Sequence, residues 1–144
     1  MMRTTLLLAM VISLFAAPGE AKTKRPPPVW DELGVETSIA FPNHGTIRNF
    51  EANDTRGLWI EDSQRRWYYA ELLGFCQGLD FAQAVGFDTG GTSQLDKFGS
   101  IIVDGRICPI ARLITAEKPL PRKERIERRN QVREEAKKAV APQD

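Results

Sequence analysis

Two cysteines, Cys76 and Cys108, constrain this chain more than any other feature. They fall in a body, residues 38–116, flanked by a proline-rich lead and a charged tail. A core built from so few residues is marginal, and domains of this size commonly rely on a staple. Whether the two thiols supply one depends on the compartment in which the chain matures.

The N-terminus speaks to that compartment. Arg3 gives a short positive start, Leu6 to Ala17 is a run that is apolar but for Ser13, and Pro18-Gly19 ends it. Gly19 and Ala21 place small residues where a signal peptidase reads. The pattern predicts a secretory signal over residues 1–21, cleaved after Ala21. The apolar run is shorter than the roughly 20 residues a membrane-spanning helix needs. No cysteine stands near the cleavage point, so lipid attachment there is not expected. The mature chain is therefore expected to be periplasmic or secreted, with no transmembrane segment.

In an oxidising compartment an even cysteine count reads as a disulfide, here Cys76–Cys108. Chain-entropy arguments put such a loop closure at roughly 3–4 kcal/mol as an upper figure. A redox-active pair is disfavoured, because no Cys-x-x-Cys spacing is present.

Outside the body the chain changes character. Residues 22–37 contain Arg25-Pro26-Pro27-Pro28, which predicts an extended linker with no core. Residues 117–144 are charged. The body carries seven Lys/Arg against nine Asp/Glu, whereas the tail carries nine against six. A basic tail on a slightly acidic body suggests an interaction arm more than a nucleic-acid-binding domain, and no nucleic-acid partner is expected. The residues from Pro121 to Val140 favour helix, with Glu124/Arg128 and Glu134/Lys138 at the favourable i, i+4 spacing. Ile126, Val132 and Val140 make no continuous stripe. Three readings stay open: a solvated helix, an arm for a polyanion or membrane surface, or a helix that orders on a partner.

Within the body, Thr46 to Phe50 alternates as a strand does. Leu58-Trp59-Ile60 and Trp67-Tyr68-Tyr69, separated by Asp62-Ser63-Gln64-Arg65, read as a hairpin. Asp104-Gly105 predicts a second, between Phe98–Val103 and Arg106–Ile110, with Leu113-Ile114 continuing beyond it. Pro109 lacks a backbone donor, so its strand is expected at an edge or bulged. Between the hairpins Leu72, Phe75, Cys76, Leu79 and Ala82 recur with helical spacing, predicting a short helix that ends before Gly86. The expected fold is α+β: a small antiparallel sheet of two hairpins, one short helix packed on it, and a charged C-terminal helix.

The catalytic motifs are thin. His44 is the sole histidine and sits in Pro/Asn/Gly loop sequence, so metal sites and Cys-His or Ser-His arrangements lack members. No cofactor, metal or catalytic residue is assigned. Asp88-Thr89-Gly90 looks like the aspartic-protease triplet, but Gly91 follows it and no second element supports it. A turn is the ordinary reading, with Asp88 and Asp96 as the candidates if the loop were catalytic. Trp59, Trp67, Tyr68 and Tyr69 are expected to pack across strands, with one sheet face left for a ligand such as a sugar ring or peptide. Trp59, Tyr68, Asp88 and Asp96 are the possible ligand-facing residues.

The run from Ser63 to Ile114 resembles an uncharacterised family of small exported bacterial proteins, a domain-of-unknown-function family. The marks are Trp67-Tyr68, then Cys76 to Ala82 in a Cys-x-Gly-Leu-x-Phe-Ala pattern, then Gly86-Phe87, Asp96 to Phe98 and Cys108. The resemblance covers roughly residues 39–114 and is read as stopping short of the tail. It implies export and a small sheet-plus-helix domain, and it implies no activity, cofactor or substrate.

These features predict a small secreted, non-catalytic binding or envelope-associated module. Its partner would be an envelope protein, or an anionic surface met through the tail. An enzyme working from the Asp88–Asp96 loop is the alternative.

Overall fold

The computed structural model describes residues 32–140. The expected signal over residues 1–21 and the Arg25-Pro28 run lie outside that range.

Alternation between apolar and polar side chains builds the centre of the sheet. In β3 (Gly57–Asp62) and β4 (Trp67–Leu72), Leu58, Ile60, Tyr68, Ala70 and Leu72 point inward and are buried. The two strands are antiparallel, with Trp59 opposite Tyr69 and Ile60 opposite Tyr68. Their turn is organised by Asp62, whose Oδ1 accepts from the Gln64 and Arg66 amides, both at 2.9 Å. Its Oδ2 meets the Arg66 guanidinium at 2.8 Å and accepts from the Tyr68 hydroxyl at 2.9 Å. A buried carboxylate is tolerated when it is this fully bonded.

β2 (Ile47–Asp54) lies antiparallel to β3 on its free side. The spine of the fold is β8 (Arg106–Ala116), which pairs with β7 (Ser100–Val103) through its first half and with β4 through its second. Asp104 and Gly105 turn the chain between β7 and β8 with φ of 48° and 78°, the paired positive values of a tight hairpin turn. β8 changes partner just after Pro109: the register with β4 steps from Arg112 to Ile110, leaving Ala111 as the extra residue of a bulge. β5 (Gly86–Asp88) completes the order β2-β3-β4-β8-β7-β5, a curled six-stranded sheet. β1 (Ile39–Ala40) and β6 (Gln94–Leu95) form a separate two-stranded sheet and contribute Ile39 and Leu95 to the same core.

The α+β class holds, but the sheet is larger than two hairpins, and the short helix expected after Leu72 does not form. Leu72 still belongs to β4, and only Leu79–Phe81 makes a single 3₁₀ turn. Gly74 and Gly78 have φ of 100° and 88°, values no helix interior adopts. Cys76 and Leu79 are buried as the spacing implied, yet Phe75, on the same supposed face, is 68% exposed. The segment is a loop held inward at two buried points, and one of them is covalent: Cys76 is disulfide-bonded to Cys108 on β8.

The linker expected over residues 22–37 also ends differently. The Gly34 amide donates to Thr115 O, the Thr115 amide to Val35 O and the Thr37 amide to Leu113 O, all at 2.9 Å. Residues 34–37 therefore line β8 on the side away from β4, where β7 no longer reaches. Tail residues form α1 (Arg122–Val140). Between positions 122 and 139 Arg125 alone is not exposed, so the helix is polar all round and touches the body through its first turns.

Candidate functional site

The outer face of the sheet carries a row of three side chains. Glu51 on β2, Trp59 on β3 and Tyr69 on β4 stand opposite one another in register. Trp59 and Tyr69 are in ring contact, their centroids 5.0 Å apart and tilted 56°. Asn53 Nδ2 donates to the Tyr69 hydroxyl at 3.2 Å, and burial raises the Tyr69 pKa above its ordinary value.

The first turns of α1 close over this row. The Arg125 guanidinium lies 4.7 Å from the Trp59 ring centroid, pairs with Glu51 at 2.8 Å and donates to Ala52 O at 3.3 Å. One turn later Arg129 donates to Asn53 O at 3.1 Å and Asn53 Oδ1 at 3.2 Å. Asn53 thus bridges Arg129 to Tyr69.

What the helix leaves open is a cleft of about 420 Å³. Its lining combines the apolar Trp59, Pro119, Leu120 and Val132 with the cationic Lys118, Arg125, Arg128 and Arg129, together with Asn53. No carboxylate lines it. Glu51 neutralises Arg125, whereas Arg129 meets only neutral groups. Lys118 and Arg128 make no ion pair among the described residues. The Glu124/Arg128 pair read from spacing is not formed, and Glu134 pairs with Lys137 rather than Lys138. Apolar surface beside a few convergent charges is the usual make-up of a ligand pocket. Exposed ion pairs contribute only about 0–1 kcal/mol each, so occupancy by a bare anion would be weak.

The other candidate residues are scattered. Tyr68 faces the core, 1% exposed, and donates to Asp62; desolvation first, and that hydrogen bond second, push its pKa well above the ordinary value. Its side chain is closed to solvent. Asp88 accepts from the Gly90 amide at 2.9 Å and Asp96 from the Phe98 amide at 2.8 Å, so each carboxylate shapes its own turn. Asp96 lies in a cleft beside the Lys97–Glu36 ion pair.

The fold does bring His44 to the loop after Asp88. The turn at Pro42–Thr46 and residues 89–93 enclose about 290 Å³, with Asn43 Nδ2 donating to Phe87 O at 3.0 Å. The Thr89 and Thr92 hydroxyls there donate to loop carbonyls, which organises the loop rather than a nucleophile. Among the described residues, no group of three or more His, Cys, Asp or Glu is placed to hold a metal ion.

The family model described as "Family of unknown function (DUF6491)" matches residues 1–138. It reaches into the basic helix as far as residue 138, so most of the tail lies inside the family's region and the resemblance does not stop near residue 114. No curated protein and no solved structure matches the chain.

Proposed function

We propose, for a chain that belongs to the DUF6491 family of unknown function, the role of a small exported binding module, non-catalytic, working in the periplasm or outside the cell. The observation that carries the binding role is the cleft between Trp59 and α1. It joins apolar and cationic side chains over the outer sheet face. Export is supported by the signal-like residues 1–21 and by the Cys76–Cys108 bond, which persists only where thiols are not kept reduced. No helix among the described residues is long and apolar enough to cross a membrane.

Cell fractionation followed by intact-mass measurement without reductant tests the reading. The expected species starts at Lys22 and lacks two hydrogens. A cytoplasmic species starting at Met1 with two free thiols would overturn it.

A second reading, a tether to an anionic envelope surface or an envelope protein, is favoured by the exposure of every residue from 126 to 139 and by the basic excess of the tail. Charge reversal at Arg133, Lys137 and Lys138 leaves the Arg125 dock intact. If envelope association at low salt survives that change, the tether reading fails.

A further inference from the structure

We propose that the Trp59 cleft binds one molecule of an anionic amphiphile at a time, an alkyl chain carrying a phosphate monoester. The inference rests on the binding-module reading and names its ligand class.

Three observations lead to it. First, the charge in the cleft is uncompensated. Lys118, Arg128 and Arg129 line the same cleft without a carboxylate among the lining residues, while Arg125 is already held by Glu51. Three cations suit a head that carries close to two negative charges better than a carboxylate with one, and the planar forks of Arg128 and Arg129 suit its oxygens.

Second, the flat face of Trp59 beneath α1 is taken, because the Arg125 guanidinium lies over the ring and Tyr69 packs beside it. Stacking of a sugar or base on the covered face is closed. What stays open is Leu120 and Val132 beside the half-buried Trp59, with Pro119 buried behind them, a surface that methylene groups can follow without any flat partner.

Third, α1 is poorly suited to lie on a bilayer. Acidic Glu124, Glu127, Glu134 and Glu135 are interspersed along it, and it carries no aromatic anchor. The exposed apolar residues of α1, Ile126 and Val132, make no continuous stripe, so a single chain against the cleft fits better than a membrane plane.

The test uses the oxidised mature chain, residues 22–144, titrated calorimetrically with octyl phosphate below its micelle concentration, inorganic phosphate, octanol and phosphatidylglycerol vesicles. Octyl phosphate is expected to saturate at one per chain and to bind at least ten-fold tighter than phosphate or octanol. Lys118→Ala with Arg128→Ala should weaken it at least five-fold with an unchanged thermal melt, since both side chains are solvent-facing. Val132→Ser should weaken octyl phosphate and leave inorganic phosphate unaffected.

Phosphate binding as tightly as octyl phosphate, vesicle binding without monomer binding, or indifference to the double substitution would each overturn the proposal. If octyl phosphate fails while the exported protein still captures another small molecule in this cleft, the ligand class falls and the module reading stands. A cytoplasmic protein with free thiols would remove the module reading instead.

Discussion

Arg125 lies over the indole of Trp59, 4.7 Å from its centroid, and at the same time pairs with Glu51 at 2.8 Å. The two contacts are coupled by register, because Glu51 and Trp59 face each other across β2 and β3. A side chain with both a planar face and a forked edge is needed to use both, which is a property of arginine and not of lysine. Together with the Arg129–Asn53 hydrogen bonds, the contact attaches α1 to the sheet.

Arg125→Ala should therefore loosen the helix, leaving the Arg129–Asn53 bonds to hold it. Its side chain is 10% exposed but Glu51 is 36% exposed, so solvent screening limits the ion-pair share. A loss of about 1–2 kcal/mol is expected from the pair, the ring contact and the backbone bond together. Urea unfolding measures it, and trypsin should cut after Arg122 faster in the variant. Arg125→Lys should lie between. Equal cutting rates in all three proteins would show that Arg125 does not hold the helix.

The disulfide should matter more than any single side chain. It joins positions 32 residues apart, for which the chain-entropy estimate is roughly 3–4 kcal/mol. For a domain of this size each kcal/mol corresponds to about 4–8 °C in Tm. Reduction, or replacement of both cysteines by serine, is expected to lower Tm by more than ~10 °C. A reduced protein melting at the oxidised temperature would mean that the loop from Leu73 to Val85 is held by its buried contacts alone.

Much of the sheet could be read from residues, and the reasons are local. Alternation along Leu58–Ile60 and Trp67–Tyr69 sets faces, and Asp104-Gly105 sets a turn, because both act within a few residues. The helix expected after Leu72 failed for a different reason. Spacings of three and four recur by chance when a loop is tied down at Cys76 and Leu79, and periodicity does not register the positive φ of Gly74 and Gly78. The two-residue strands β1 and β6 are too short to show any pattern. The cleft was hidden most completely. Trp59 was identifiable as an outward aromatic, but nothing in the tail distinguishes Arg125 from the basic residues around it; only the docking of α1 does.

Burial of Tyr68 makes stability fall at alkaline pH. Its pKa is raised above the model-peptide value of 10.0, chiefly by desolvation and then by the hydrogen bond to Asp62. The folded state therefore keeps the proton where the unfolded state loses it. That contribution is complete below about pH 10 and is lost as pH rises further, since the unfolded chain then binds fewer protons. Tyr69, also shifted upward, acts in the same direction. Tyr68→Phe should cost about 1–2 kcal/mol at neutral pH by removing a donor from Asp62. It should also flatten the decline above pH 10. Urea unfolding at several pH values compares the slopes, and parallel slopes would contradict the assignment.

Glycine substitutions after β4 separate the observed loop from the helix that its spacing suggests. In a helix, Gly74→Ala and Gly78→Ala would each stabilise by up to about 1 kcal/mol, because alanine is the better helix former. In the loop the sign reverses. Gly74 and Gly78 hold φ of 100° and 88°, and an L side chain at such angles costs roughly 1–2 kcal/mol. A Cβ at Gly74 would meet nothing within 4 Å, so steric crowding does not confuse the comparison there. At Gly78 the nearest atom would be Asp104 Oδ2 at 3.5 Å, an ordinary contact. Both substitutions are thus expected to lower Tm, by backbone strain alone, and by more when combined. The disulfide should sharpen the effect, since Cys76 sits between the two glycines and cannot move to relieve it. Circular dichroism on the double variant distinguishes the cases: helical signal that rises with Tm supports a helix, and a lower Tm with unchanged helical signal supports the loop.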